Sequence, residues 1–180
     1  APNASAPIEY GPGFKSYLAR RLKGVAGVPV ISVGRYTDPF FMDEVIARGD
    51  ADMIAVGRQI LADPDFLKNA VAGHPEETLE CLACNQGCIE REALELKPVR
   101  CAINPQTGQE LLRPDGPAKV KQNVWVIGGG PAGLTAAMEA ARLGHQVTLY
   151  ERESRTGGNV RYAAMSPHKD IYDKFIRTLT

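Results

Sequence analysis

The feature that most constrains the fold is a glycine-rich turn between two apolar runs in the last third of the chain. Residues 124–127 are a β-branched and aromatic run, the turn "GGGPAG" follows, an alanine-rich stretch leads to Gly144, and residues 146–150 are a second apolar run. The two runs have the length and composition of strands, and the stretch between them has the composition of a helix. This pattern predicts a strand, a helix and a second parallel strand, as at the start of a Rossmann-like sheet, with Trp125 packed in its core.

The glycines of the turn have the spacing of a dinucleotide-binding site. Gly128 would make the tight turn, Gly130 would admit a pyrophosphate, and Gly133 would let the helix pack closely on the strand. The N-terminus of the helix adds partial positive charge. Glu151 ends the second strand about 20 residues further on, where a carboxylate accepts ribose hydroxyls and repels a 2′-phosphate. These residues predict an FAD- or NAD-type nucleotide rather than NADP.

A second motif occurs twice, as "VGRYTDP" at residues 33–39 and as "VGRQILADP" at residues 56–64. Each copy follows a short apolar run, residues 28–33 and residues 51–56, which predicts a buried parallel strand. Each copy also ends in Asp-Pro, which predicts a helix start at Asp38 and at Asp63. The order of elements is typical of a parallel sheet with helical crossovers.

The chemistry of each Gly-Arg pair suits an anion. Glycine allows close approach of the backbone N–H, and the arginine fork binds phosphate. Ligands bind at the carboxyl ends of strands in parallel α/β folds, so we expect Gly34, Arg35, Gly57 and Arg58 to hold one phosphate. The alternative is that both glycines are ordinary turns and both arginines are solvated or ion-paired.

All four cysteines lie in one short stretch, at Cys81, Cys84, Cys88 and Cys101. Four thiolates can hold an iron–sulfur cluster or a structural zinc ion. Zinc sites usually take their ligands from two C-x2-C pairs, whereas three ligands close together with a remote fourth favour an iron–sulfur cluster. A zinc site and an inert group of cysteines remain alternatives.

The charge balance limits the partners that the chain is expected to have. Lys plus Arg and Asp plus Glu both number 21, so the formal net charge is zero. Bulk charge therefore predicts neither nucleic-acid nor membrane-surface binding, and no apolar run has the length of a membrane span. Clustered cysteines without a secretion signal predict a cytoplasmic protein. We expect a small-molecule substrate and leave open a homo-oligomer of the complete protein.

Four segments are predicted along the chain. Residues 1–72 alternate helices and strands, residues 73–112 carry the cysteines, residues 113–122 are a polar linker rich in Pro and Gly, and residues 123–180 contain the glycine-rich turn. The linker composition is typical of a domain boundary.

These motifs, in this order, resemble the family of trimethylamine dehydrogenase and 2,4-dienoyl-CoA reductase, the larger relatives of old yellow enzyme. The motifs that carry the resemblance are "GRYTDP", "GRQILADPDF", "CLACNQGC", "CAINP" and "IGGGPAG…YERES…GGN". The resemblance implies the C-terminal part of a (β/α)8 TIM barrel, an iron–sulfur segment and the first βαβ unit of a Rossmann-like FAD- or NAD-binding domain. It also implies that the chain is an internal segment of a longer enzyme, inactive by itself.

The resemblance assigns a cofactor to each group of site residues. The residues that it assigns to the phosphate of FMN are Gly34, Arg35, Gly57 and Arg58. The ligands that it assigns to a 4Fe–4S cluster are Cys81, Cys84, Cys88 and Cys101. The residues that it assigns to FAD, or to ADP, are Gly128, Gly130, Gly133, Glu151 and, in the loop "RTGGN", Gly158.

The function implied by the resemblance is a flavin- and iron–sulfur-dependent oxidoreductase. Electrons would pass between NAD(P)H or a carrier, FAD, the cluster and FMN, with reduction of an enoyl or enoate substrate or oxidation of a methylated amine. NAD(P)H and the catalytic residues would belong to other parts of the enzyme. One alternative is an electron-transfer module without its own substrate site, similar to the small subunit of glutamate synthase. Another is a zinc-stabilised nucleotide-binding module without redox chemistry.

Overall fold

A computed structural model describes residues 5–112, 114 and 116–180 of the chain. Residues 1–4 of the predicted first segment, and Arg113 and Asp115 of the predicted linker, lie outside the described residues. The chain forms two compact units, residues 1–110 and residues 111–180, which are described separately. The predicted cysteine segment falls almost entirely in the first unit.

The first unit alternates helices with two strands. Its elements are α1 (Ser16–Lys23), β1 (Ile31–Val33), α2 (Pro39–Ala47), β2 (Met53–Ala55), α3 (Arg58–Ala62), α4 (Phe66–Ala72), a 3-10 turn (Pro75–Glu77), a π-helical turn (Gln86–Glu90), α5 (Arg91–Ala93) and a 3-10 turn (Glu110–Leu112) that begins at the end of the unit. Strands β1 and β2 pair in parallel, with Ile31 opposite Met53. The predicted parallel pair with a helical crossover is confirmed.

Helix α2 begins where the sequence predicts. Asp38 caps it by accepting a hydrogen bond from the N–H of Phe40 at 2.9 Å, and Pro39 occupies the first helical position, where no N–H is needed. The apolar side of the helix packs into the core of the unit. This core consists of Ala19, Tyr36, Met42, Val45, Ala51 and Phe66.

The second predicted helix start is wrong by a few residues. Helix α4 begins at Phe66, and the side chain of Asp63 accepts from the N–H groups of Asp65 and Leu79 instead of capping a helix at Pro64. The short helix α3 lies directly before Asp63 and was not predicted. Five residues are too few to show helical periodicity, so the sequence pattern could not reveal α3.

The prediction that the strands are fully buried is also wrong. Ser32 is buried, but Ile31 and Val33 on either side of it are more than half exposed. Successive side chains of a strand point to opposite faces, and α1 and α2 pack against this pair of strands. The other face has no covering layer among the described residues, and Trp125 in the second unit is likewise 72% exposed rather than in a core.

The second unit begins with the predicted strand–helix–strand motif. Its elements are β3 (Asn123–Ile127), α6 (Pro131–Arg142), β4 (Gln146–Tyr150), α7 (Val160–Ala164) and α8 (Ile171–Thr178). Strands β3 and β4 pair in parallel, with Asn123 opposite Gln146 and Ile127 opposite Tyr150. Gly144 ends the helical segment in the left-handed region, at φ +86°. The predicted βαβ unit is confirmed.

The helices of the described residues are 3 to 12 residues long. None of them combines the length and the apolar character that crossing a bilayer needs.

Candidate functional site

The two Gly-Arg pairs meet at one cavity of the first unit. One pair follows β1 and the other follows β2, and the carboxyl ends of these parallel strands lie at the same edge. The cavity has a volume of about 190 Å³, and its wall includes Gly34, Arg35, Gly57 and Arg58. We call these four residues the Gly-Arg cradle. Pockets that enclose a whole small ligand have roughly 300–1,000 Å³, so this cavity has room for part of a nucleotide.

Arg35 is held in a conformation that non-glycine residues rarely adopt, with φ +55°. Its Nη1 donates hydrogen bonds to the carbonyls of Ile8, at 2.9 Å, and Tyr10. Its Nε is buried and has no hydrogen-bond partner among the described residues. Burial lowers the pKa of Arg35, and the nearby positive charge of Arg58 acts in the same direction. An unpaired buried donor and two adjacent guanidinium groups fit an anion such as phosphate.

Lys15 adds a further cation to the wall of the same cavity. No pattern in the sequence marks this residue as part of a site. It precedes α1 and belongs to no recognisable motif, so only the fold brings it to the cradle.

The four cysteines line a second, smaller cavity of about 20 Å³ in the same unit. All four are free thiols and half-buried. Burial raises the pKa of Cys81 and of Cys101, so both are protonated at neutral pH in the absence of a metal. A metal centre would displace these protons when it binds.

The spacing of the sulfur atoms helps to distinguish the two metal centres left open by the sequence. Four thiolates around one zinc ion at 2.3 Å stand about 3.8 Å apart. Across the described part of the chain, which includes every cysteine, no three cysteine sulfurs lie within 4.8 Å of one another. Each thiolate of a 4Fe–4S cluster binds a different iron atom, so its ligands are farther apart than those of one ion. This sulfur spacing is wider than that around one bound zinc ion and is compatible with a 4Fe–4S cluster.

Within the described ranges, one group of potential ligand atoms does lie within 4.8 Å of one another. It consists of His74, Glu76 and Glu77, all of which are exposed. Exposed acidic groups of this kind are common on protein surfaces, and we assign no role to this group.

The glycine-rich turn of the second unit has the geometry that a pyrophosphate requires. A Cβ at Gly133 would lie 1.9 Å from the carbonyl oxygen of Gly128, which shows that the helix packs tightly on the turn. A Cβ at Gly130 would have no atom within 4 Å, so the space in front of this residue is open. Gly130 is the N-cap of the twelve-residue helix α6. The turn therefore fits an anionic group at the helix N-terminus.

Glu151 connects the end of β4 to this turn. Its carboxylate accepts hydrogen bonds from the N–H of Gly129 at 2.6 Å and from the N–H of Glu153 at 2.8 Å. The bonds from Glu153 and Gly129 hold the pKa of Glu151 below its ordinary value, so the carboxylate is ionised at neutral pH. Each carboxylate oxygen keeps a second lone pair for a ribose hydroxyl.

The loop "RTGGN" lies against the same turn. The N–H of Gly157 donates to the carbonyl of Gly129 at 2.7 Å, and a Cβ at Gly158 would lie 3.3 Å from the Cα of Gly130. All the residues that the sequence assigns to the nucleotide thus meet around one turn of the second unit.

A substitution at Glu151 tests its role at the nucleotide site. In the complete product of the gene that encodes this chain, we expect Glu151→Ala to weaken FAD or ADP binding by about 1–3 kcal/mol, because charge-assisted bonds to the ribose are lost. Glu151→Gln keeps one carbonyl oxygen and should lose less. Nucleotide retained after dialysis measures both effects, and equal retention in wild type and Glu151→Ala would contradict the assignment.

Family models match both units of the chain. Residues 4–77 match the model of the NADH:flavin oxidoreductase / NADH oxidase family. Residues 126–179 match the model of the NAD(P)-binding Rossmann-like domain. The first match covers the Gly-Arg cradle, and the second covers the glycine-rich turn and Glu151.

Known proteins resemble the chain over most of its length. An NADH oxidase of Thermoanaerobacter brockii is 42% identical over 93% of the chain and 26% of its own length. A cinnamate reductase of Clostridium sporogenes is 38% identical over 83% of the chain and 22% of its own length. The solved structure of 6-hydroxypseudooxynicotine amine oxidase from Pseudomonas geniculata N1 has a TM-score of 0.88 and 31% identity, over 97% of the chain and 27% of its own. The chain thus spans about a quarter of the length of these relatives.

Proposed function

Because residues 4–77 of this chain belong to the NADH:flavin oxidoreductase / NADH oxidase family, we propose that it is the electron-transfer segment of a flavin-dependent oxidoreductase. In this proposal the first unit supplies the end of an FMN-binding TIM barrel and a 4Fe–4S site. The second unit supplies the first part of an FAD- or ADP-binding domain. The protein would act in the cytoplasm on a small molecule, with NAD(P)H or a carrier as the electron source.

The observation that carries the proposal is the position of the Gly-Arg cradle next to the cysteines. Arg58 and Cys81 form part of the wall of both cavities. A bound flavin exchanges hydride with organic molecules and single electrons with an iron–sulfur centre, and neighbouring sites for both suit that exchange.

The residues of the chain would bind and orient these groups. Arg35 and Arg58 would neutralise the FMN phosphate, while the glycines of the cradle allow its approach to the backbone. The cysteines would release their protons and ligate the cluster as thiolates. In the second unit, Gly130 and the start of α6 would bind the pyrophosphate of FAD or ADP.

The substrate classes in this proposal follow from the named relatives. A cinnamate reductase acts on an enoate, and an amine oxidase acts on an amine. We therefore propose reduction of an enoate or enoyl compound, or oxidation of an amine, as the reaction of the complete protein. No residue of this chain is assigned to the substrate or to proton transfer.

The two alternative functions have less support. A module similar to the small subunit of glutamate synthase would not be expected to match a flavin oxidoreductase model ahead of the cysteines, as residues 4–77 do. A zinc-stabilised module would be expected to bring its cysteine sulfurs closer together than those of this chain.

A charge-removing variant tests the proposed FMN site. In the complete gene product, we expect Arg35→Ala to weaken FMN binding at least tenfold, because one charged donor to a phosphate contributes about 1.5–3 kcal/mol. FAD and iron should stay bound. Arg21→Ala, which removes an exposed arginine from α1, is the matched control and should bind FMN like wild type. Flavin content measured after gel filtration distinguishes the outcomes, and full retention of FMN by Arg35→Ala would contradict the proposal.

A further inference from the structure

Helix α3 joins the Gly-Arg cradle to the cysteine cavity. Its first residue, Arg58, follows Gly57 of the cradle and lies in the walls of both cavities. The helix is also tied to the segment after the cysteines, because Asn104 Nδ2 and Thr107 Oγ1 both donate to the carbonyl of Leu61, at 3.0 and 2.7 Å. The two cavities therefore share one short helix and one arginine.

The guanidinium of Arg58 is fixed between the two cavities. Nη1 donates to Oδ1 of Asn85, which lies between Cys84 and Cys88, and Nη2 donates to the carbonyl of Ala6 at 2.8 Å. The amide of Asn85 is fixed in turn, since its Nδ2 donates to the carbonyl of Ser5 at 2.8 Å. The charge of Arg58 cannot swing away from the cysteine loop without breaking these bonds.

Gln59, the next residue of α3, fixes the backbone at Cys81. Its side chain is 2% exposed. The amide donates to the carbonyl of Leu79 at 3.0 Å and accepts from the N–H of Cys81 at 2.8 Å. Because Arg58 and Gln59 are adjacent, Cys81 keeps a defined position relative to the guanidinium.

The positive charge of Arg58 would strongly affect the reduction potential of a redox centre bound by the cysteines. Arg58 and Cys81 share the wall of both cavities and are partly shielded from solvent, so their interaction is screened less than one between surface charges. Reduction adds one negative charge to an iron–sulfur cluster, and a fixed cation favours that reduced state. A phosphate bound to the same cation offsets this effect.

This inference rests on the proposed function, in which FMN binds in the Gly-Arg cradle and the four cysteines ligate a 4Fe–4S cluster. On that basis, we propose that Arg58 raises the reduction potential of the cluster and that a phosphate bound in the Gly-Arg cradle lowers it. Arg58 thus acts through its charge, and it makes the reduction potential of the cluster depend on whether FMN is bound. Linkage requires the reverse effect as well, so reduction of the cluster weakens FMN binding by the same factor.

The first experiment needs no variant. The complete gene product is prepared anaerobically without FMN and loaded with either FMN or an excess of riboflavin, which has the same ring but no phosphate. The cluster is then titrated with dithionite and mediators, and its one-electron reduction is followed by electron paramagnetic resonance. We expect FMN to shift the reduction equilibrium about tenfold toward the oxidised cluster, which is 59 mV for one electron. Equal potentials with FMN and riboflavin would overturn the proposal.

The second experiment isolates the charge of Arg58. In the flavin-free protein, Arg58→Gln should lower the potential by a similar amount, whereas Arg58→Lys and the exposed control Arg21→Gln should leave it near the wild-type value. An unchanged potential in an Arg58→Gln protein that still contains its cluster would refute the role of Arg58. Zinc in place of iron would refute the proposed function together with this inference, whereas an intact cluster with a phosphate-independent potential would refute the inference alone.

Discussion

Cys84→Ser is expected to remove all cluster iron from the complete gene product purified without oxygen. The wild-type protein should contain about four iron atoms and four sulfides per chain, and a serine hydroxyl is a much poorer iron ligand than the thiolate that it replaces. The free energy of metal binding at such a site also stabilises the fold around it. Without the cluster, residues 79–107 should therefore become more accessible to proteases. Iron analysis and limited proteolysis measure the two effects.

A control variant separates loss of a ligand from disturbance of the cavity. Ala102 lines the same cavity and carries no ligand atom, so Ala102→Ser adds a hydroxyl there without removing a thiol. We expect this control to keep its iron. Iron content unaffected by Cys84→Ser would show that this residue is not a ligand.

The same substitution, glycine to alanine, is expected to reduce stability at one position of the nucleotide-binding turn and nucleotide affinity at another. Gly133→Ala places a Cβ 1.9 Å from a backbone oxygen that no side-chain movement can relieve. Overpacking typically costs about 1–3 kcal/mol, and a clash with backbone belongs at the upper end of that range, above the gain of about 1 kcal/mol from replacing glycine in a helix. We expect Gly133→Ala to unfold at a clearly lower denaturant concentration than wild type.

Gly130→Ala is expected to fold normally and to lose the nucleotide. Its Cβ would meet no atom within 4 Å, and the residue has φ −76°, which alanine adopts without strain. The new methyl group would occupy the space that a pyrophosphate needs, so binding should weaken at least tenfold. Urea unfolding measures the stability of both variants, and nucleotide titration measures their affinity for the nucleotide. Normal nucleotide binding by Gly130→Ala, or wild-type stability of Gly133→Ala, would contradict the assigned roles.

Local patterns predicted the strand–helix–strand motif at the start of the second unit well. Strand β4 has the predicted bounds, β3 is longer by Asn123 alone, and the predicted helix is present but starts at Pro131, inside the glycine-rich turn. Glycine spacing, strand composition and helix composition all act over a few residues, so a single sequence contains the information. The capping of α2 by Asp38 was predictable for the same reason.

Contacts between distant residues could not be read from the sequence. Nothing in the motif "GRQILADP" indicates that Arg58 reaches Asn85, or that Gln59 binds the backbone at Cys81. The sequence therefore predicted two separate sites where the structure has one connected region. The exposure of Trp125 and Val33 was missed because a strand pattern does not state how many layers cover it.

We propose that one chain brings together a flavin phosphate site and an iron–sulfur site. The most direct measurement is the content of iron, acid-labile sulfide, zinc and flavin in the complete gene product purified without oxygen. We expect about four iron atoms, four sulfides and one FMN per chain, and no zinc. One zinc ion without iron, or iron without any FMN, would contradict it.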